Sequence, residues 1–210
     1  MEKIKEKTPK TEHIGIYGGT FSPPHIGHMH AARVFLREGG IDSLMVIPTF
    51  VTPLKERNEQ TSAHDRLEMC RLAFSFSPRI TVSDIEVCRA GHSNTAETIT
   101  VLHSPTVELS FLCGTDMLLT MDKWHDPETI FRLARIVCMR RENDAVNGEL
   151  LAQKAEEYRV RFGATVEFLN APPLTLSSSE IRMRLLQGED CREYLDQSVL
   201  DYIRERGLYL

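Results

Sequence analysis

The sequence predicts an α/β chain: an open, mostly parallel sheet with helices covering both of its faces. Two patterns carry that prediction. Short apolar runs of strand length alternate with helical segments along the whole chain, and several of those runs are continuous rather than alternating, as strands buried on both faces are. In addition, the first strand, helix and second strand together take up roughly thirty residues, the length a parallel crossover needs.

The elements follow in order. The leader MEKIKEKTPKTEH mixes Lys and Glu and has no apolar core, so residues 1–12 are expected to be a flexible leader. His13 to Tyr17 reads as a strand, Gly18 to Pro23 as a tight connection, and Pro24 as the first residue of a helix running to about Glu38. Ala31, Val34, Phe35 and Leu36 give that helix its apolar contacts, and Gly39-Gly40 stops it. Ser43 to Ile47 is a buried strand closed by Pro48, and Thr49 to Gln60 is a polar loop. Ser62 to Phe74 is helical, with Leu67, Cys70, Arg71 and Phe74 at helical spacing. Arg79 to Val87 suggests one or two short strands, and Asn94 to His103 a helix.

Thr106 to Cys113 is the most strand-like run and ends at Gly114. Asp116 to Met121 and Asp126 to Leu133 read as short helices with Trp124 between them. Ala134 to Met139 and Thr165 to Leu169 are strands separated by a charged surface helix, Glu149 to Phe162. After a Pro172-Pro173 turn come two helices, Ser178 to Gln187 and Ser198 to Arg206, the second stopped by Gly207. No repeat or internal linker interrupts residues 13–210, which are therefore expected to form a single domain of Rossmann-like architecture.

Composition removes several classes of function. A net charge of -5 argues against a protein that grips nucleic acid polymers, while still allowing a locally positive pocket for a small anion. No apolar run reaches the length of a membrane span. The five cysteines are odd in number and form no CxxC pair, so reduced thiols in a cytoplasmic protein are expected rather than a disulfide framework or a zinc site.

The chemistry concentrates in Gly15 to His30, GIYGGTFSPPHIGHMH. At the first strand-to-helix junction of an open α/β sheet, Gly18 and Gly19 let backbone N–H groups approach a phosphate or ribose, and the helix end favours an anion. The dinucleotide fingerprint GxGxxG is absent, and no GKS or GKT follows. Instead His25 and His28 stand three apart on one face, so two imidazoles and a positive helix end make a site for a triphosphate. Taken singly, a glycine pair is most often only a turn. A histidine pair could also bind zinc, but a third ligand at suitable spacing is missing, so no metal is assigned to the protein itself.

A second cluster, Leu176-Ser177-Ser178-Ser179-Glu180-Ile181-Arg182, carries its own logic. Ser177 and Glu180 can form a capping box. Arg182 lies early in its helix, where the dipole disfavours a cation unless an anion faces it. Serine hydroxyls, free N–H groups and Arg182 would clamp terminal phosphates. Alone, this is equally a well-capped surface helix.

Together GGTFSPPHIGH and LSSSEIR resemble the two signatures of the HIGH-motif nucleotidyltransferase superfamily. The intervening FLCGTDMLLTMDKW, Ala134 to Arg141 and VLDYIRERGLY are similar to the bacterial nicotinate-nucleotide adenylyltransferases over nearly all of residues 13–210. That resemblance implies transfer of AMP from ATP to nicotinate mononucleotide, giving deamido-NAD and pyrophosphate, with Mg²⁺ carried on the ATP. It implies catalysis by His25, His28 and Arg182. ATP would be bound by Gly18, Gly19, Thr20, Phe21, His25, His28, Ser177, Ser178, Ser179, Ile181 and Arg182. The acceptor would meet Lys55, Ser93, Asn94, Thr95, Thr98, Gly114, Asp116 and Trp124, with the indole stacked on the pyridine ring.

There are departures: Ser22 stands where the family commonly has Asp, Asn94 where it has an aromatic, and Thr52 and Leu54 replace Pro and His ahead of Lys55. These leave open another phosphate acceptor, such as nicotinamide mononucleotide or pantetheine phosphate, or a silent nucleotide-binding regulator. The sequence also leaves open whether the chain forms a homo-oligomer.

Overall fold

The computed structural model describes residues 11–50, 61–140, 148–169 and 176–210. Among these residues six strands form one all-parallel sheet: β1 (Glu12–Gly19), β2 (Ser43–Pro48), β3 (Ile80–Val82), β4 (Val107–Gly114), β5 (Ala134–Met139) and β6 (Val166–Leu169). Their order across the sheet is β3-β2-β1-β4-β5-β6, the doubly wound arrangement in which strand order reverses between β1 and β4. Ligands in such sheets collect at the carboxyl ends of the two strands flanking that reversal. Here those ends are Gly18-Gly19 and Cys113-Gly114.

Helices lie in two layers. On one face α1 (Ile26–Glu38), α2 (Ala63–Ala73), α8 (Ser178–Leu186) and α9 (Gln197–Arg206) bury Phe35, Met69, Ile181 and Ile203. On the other, α4 (Thr95–Leu102), α6 (Pro127–Leu133) and α7 (Gly148–Phe162) bury Ile99, Ile130 and Tyr158. β4 shows the strand period at work, sending Leu109, Phe111 and Cys113 to the second face and Leu112 to the first. Gly15 on β1 admits α1 at close range: a Cβ there would lie 2.7 Å from the Phe35 ring and 2.5 Å from Ile41 Cδ1.

Several elements differ from their sequence reading. β1 runs on through Gly18 and Gly19, which pair with Ile47 and Pro48 and so end the strand instead of forming a turn. α1 starts at Ile26 rather than Pro24, because His25 takes the cap position. Only Ile80 to Val82 of the segment after Arg79 is strand. Residues Ile85–Arg89 turn into a short helix, α3, since Ser83-Asp84 break the strand and Glu86 must reach inward. The segment after Gly114 holds α5 (Thr115–Leu118) and a 3₁₀ turn, Met121–Lys123, in place of one helix. On α2 the buried basic residue is Arg66, while Arg71 lies exposed and pairs with Glu68. The surface helix α7 is anchored by Leu151 and Tyr158, both fully buried. No helix among the described residues is long and apolar enough to cross a membrane.

Candidate active site

His25 and His28 act first as structural caps. The His25 Nδ1 accepts from the Gly27 N–H at 3.1 Å, and the His28 Nδ1 accepts from the His25 N–H at 3.2 Å. This is a capping box in which two imidazoles do the work usually given to a hydroxyl and a carboxylate. Because each Nδ1 is an acceptor, the neutral ring carries its proton on Nε2. Burial holds the His25 pKa at about 4. Burial, with His25 beside it, keeps His28 well below the ordinary histidine range. The rings lie 3.7 Å apart, a separation two imidazolium ions would resist. The pair is therefore neutral near pH 7, each ring carrying an Nε2–H donor in place of a cationic charge.

The loop between β1 and α1 is held by side chains from far along the chain. Arg66 Nη1 donates to the Thr20 carbonyl at 2.8 Å and its Nη2 to the Phe50 carbonyl at 2.9 Å. Arg182 Nη1 donates to the Ser22 carbonyl at 2.7 Å, and Ser178 Oγ donates to the Pro23 carbonyl at 2.9 Å. The second motif is thus docked directly onto the first across a separation of 155 to 160 residues. Ser177 caps α8 by accepting from the Glu180 N–H at 3.1 Å. The Glu180 carboxylate lies 3.6 Å from Arg184, so the predicted reciprocal box is only half made. Arg182 also donates to Ser179 Oγ, which keeps its guanidinium beside the α8 N-terminus.

Two residues assigned to ATP have side chains turned elsewhere. Ile181 is fully buried in the core beneath α8. Phe21 is 2 % exposed, and its ring packs under Gly19, edge-on to His28 at 5.0 Å. Contributions of these two to nucleotide binding must come through the backbone.

Beside the loop opens a cavity of about 490 Å³ at the carboxyl ends of β1 and β2, with Phe111 of β4 in its wall. Gly18, Gly19, Thr20, Ser93, Asn94, Thr95, Thr98 and Trp124 line it, together with Ile16, Ile47, Phe111 and Met117, which the sequence reading missed. The last four are ordinary core residue types, and nothing in sequence separates a core-facing Ile from a cavity-facing one. Trp124 is partly buried, edge-on to Phe111 at 6.2 Å, and lines the cavity. Asn94 caps α4, its Oδ1 accepting from the Ala96 and Glu97 N–H groups. Ser93 Oγ accepts from the Phe50 N–H at 2.9 Å, leaving its own proton to donate. Thr98 is buried at the wall, donating to Glu86 Oε1 at 2.8 Å and accepting from Arg89 Nη2 at 3.1 Å.

Gly114 and Asp116 stand at the end of β4 but do not line the cavity. Asp116 is exposed, and a Cβ at Gly114 would lie 2.9 Å from its Oδ1. Lys55 lies outside the described residues.

The cytidylyltransferase-like family model matches residues 16–184, which span both motifs. A protein of Gemmatimonas aurantiaca named "Probable nicotinate-nucleotide adenylyltransferase" is 34% identical over 198 residues, covering 93% of this chain and 92% of its own. The chain belongs to the nicotinate-nucleotide adenylyltransferase family. A Klebsiella pneumoniae member of the same name is 34% identical over 95% of this chain and 98% of its own. Among solved structures, the Plasmodium falciparum nicotinic acid mononucleotide adenylyltransferase complexed with NaAD superposes with a TM-score of 0.76 at 23% identity, over 94% of this chain and 97% of that one. That likeness bears on the fold alone and agrees with the doubly wound sheet described above.

Proposed function

We propose that this chain transfers the AMP moiety of ATP to the phosphate of nicotinate mononucleotide, forming deamido-NAD and pyrophosphate. The observation that carries the reading is the shared strand end. Gly18, Gly19 and Thr20 line the aromatic-walled cavity, and Thr20 also begins the loop that bears the imidazole pair and contacts Arg182 through Ser22. Two nucleotides bound there would meet at the end of β1.

In the step itself an acceptor phosphate oxygen attacks the α-phosphorus of ATP. The bond from that phosphorus to its bridging oxygen breaks, and the electron pair leaves on pyrophosphate. Such transfers depend on positioning and charge stabilisation more than on covalent help. With each ring held by its Nδ1 cap, the Nε2–H groups of His25 and His28 would stabilise charge as it shifts between oxygens without reorganising. Arg182 and the serines at the α8 N-terminus would hold the departing pyrophosphate. The donor set at the loop is imidazole, guanidinium and hydroxyl. That set suits Mg²⁺ carried on ATP oxygens, where the ion would neutralise phosphate charge. All five cysteines are free thiols, which supports a reducing, cytoplasmic setting.

One observation favours a second acceptor. Glu86 is 7 % exposed on the cavity wall, and its Oε2 has no hydrogen-bond partner, with Arg89 3.9 Å from its other oxygen. A carboxylate so placed would welcome the N–H₂ of nicotinamide mononucleotide more than a second carboxylate. Pyrophosphate release is measured with ATP plus nicotinate mononucleotide, nicotinamide mononucleotide or pantetheine phosphate. The proposal expects the highest kcat/KM with the first. A preference for either other acceptor replaces it, and ATP binding without release from any of them leaves a nucleotide-binding regulator.

A further inference from the structure

Behind the nucleotide loop the hydroxyls of Ser22, Thr61 and Tyr209 meet in a buried ring. Thr61 Oγ1 donates to the Tyr209 hydroxyl at 2.7 Å, and Ser22 Oγ lies 2.9 Å from Tyr209 and 3.0 Å from Thr61. The three residues are 3 to 6 % exposed. With the Thr61 proton committed to Tyr209, the ring closes in one direction: Tyr209 donates to Ser22, and Ser22 donates to Thr61. Each hydroxyl then gives one bond and takes one. Three groups that would each be costly to bury unpaired satisfy one another without water.

The ring's position matters more than its stability. Ser22 lies between Thr20, which lines the cavity, and His25, which caps α1. Arg66, Arg182 and Ser178 hold the carbonyls of Thr20, Ser22 and Pro23. The ring adds a grip on the Ser22 side chain, tying the loop to residues 39 and 187 positions away. Phe21 in between adopts a left-handed φ of 50°, a conformation a non-glycine residue keeps only when its surroundings impose it.

We infer that Tyr209 is a positioning residue for the nucleotide half of the site: through Ser22 and Thr61 it fixes the loop that presents Thr20 and His25 to the phosphates, without touching the nucleotide itself. The inference rests on the proposed ATP half-site. It concerns nucleotide affinity, and a residue that merely staples the fold would change melting temperature alone.

The test uses Tyr209→Phe and Thr61→Val, each of which removes one hydroxyl from the ring, and Thr61→Ser, which keeps it. The dissociation constant of α,β-methylene-ATP is measured by calorimetry, a readout that needs no turnover. Both ring-breaking variants should bind the analogue roughly tenfold more weakly, since small displacements of positioning groups are felt steeply. Thr61→Ser should stay near wild type, and the acceptor KM should stay within about twofold in all three. Unchanged analogue binding in Tyr209→Phe overturns the inference, even if its melting temperature falls. Equal weakening toward both substrates overturns it as well. Should Thr61→Val fail to fold, Tyr209→Phe decides alone. A wild type that binds the analogue but releases no pyrophosphate with any acceptor sinks the transfer reading and leaves the ring tested.

Discussion

The two halves of the site are assembled by opposite means. On the nucleotide side, contacts that shape the loop span 46, 155, 160 and 187 residues of sequence. On the acceptor side the contacts around α4 are local, Asn94 to the Ala96 N–H, Arg89 to Thr98 and Thr98 to Glu86, spanning 2, 9 and 12, while Ser93 reaches the Phe50 N–H across 43. The nucleotide loop is irregular backbone whose carbonyls must find partners, so distant side chains are recruited to supply them. The acceptor cavity is walled largely by strands and helices whose backbone is already paired, and most of its polar side chains need only neighbours. A loop built this way tolerates little change, whereas a cavity wall can be altered one side chain at a time.

That contrast predicts where substitutions should act. His25→Ala removes a donor and a cap together, and should cut kcat for pyrophosphate release by roughly 10²–10³-fold while moving the KM for ATP far less. Wild-type-like turnover in that variant would erase the distinction between the halves.

Acid should strike the same half next. The folded His25 pKa of about 4 lies below its unfolded value, so between those values the unfolded chain binds more protons. Stability is full above pH 6.5 and is lost as pH falls through 6.5 toward 4, by up to about 3 kcal/mol. Urea melts at pH 7.5 and 5 should show this loss, and His25→Asn should flatten it.

Trp124→Ala should raise the acceptor KM by about tenfold and leave the KM for ATP unchanged, as expected for losing one stacked aromatic face. A parallel rise in both constants would mean that the halves are mechanically one. The smallest effect is expected from Tyr158→Phe. The Tyr158 hydroxyl donates to the Leu118 carbonyl at 2.8 Å and accepts from the Asp122 N–H, bracing the turn that leads to Trp124. Its loss should lower stability by about 1 kcal/mol in denaturant melts and raise only the acceptor KM.

The same contrast explains what could be read from the sequence. Strand and helix periodicity placed all six strands, because buried parallel strands are continuous apolar runs. The phosphate motifs are legible from residue type and spacing: a glycine pair ahead of two histidines three apart, and a serine run with Arg182 opening α8. Arg66, Thr61 and Tyr209 carry no comparable signal of their role. A buried arginine on a helix, a threonine before a cap and a tyrosine after a stop glycine each look ordinary until the fold brings them to one loop. Ser22 was visible as a departure from the family pattern, but its reason, the hydroxyl ring, lies 187 residues away. Sequence puts the β1 glycines in a turn, because a glycine that ends a strand and one that leaves it look the same there.

The paired imidazole caps also set the proton stoichiometry of ligation. Each ring is neutral in the free protein, and each would face polyphosphate once the nucleotide is bound. An anion beside a neutral imidazole raises its affinity for a proton. Nucleotide binding at mildly acid pH should therefore draw protons from solution, and the measured heat should change with the ionisation enthalpy of the buffer. The caps that make the helix stable would thus couple the ligand to the proton activity of its surroundings.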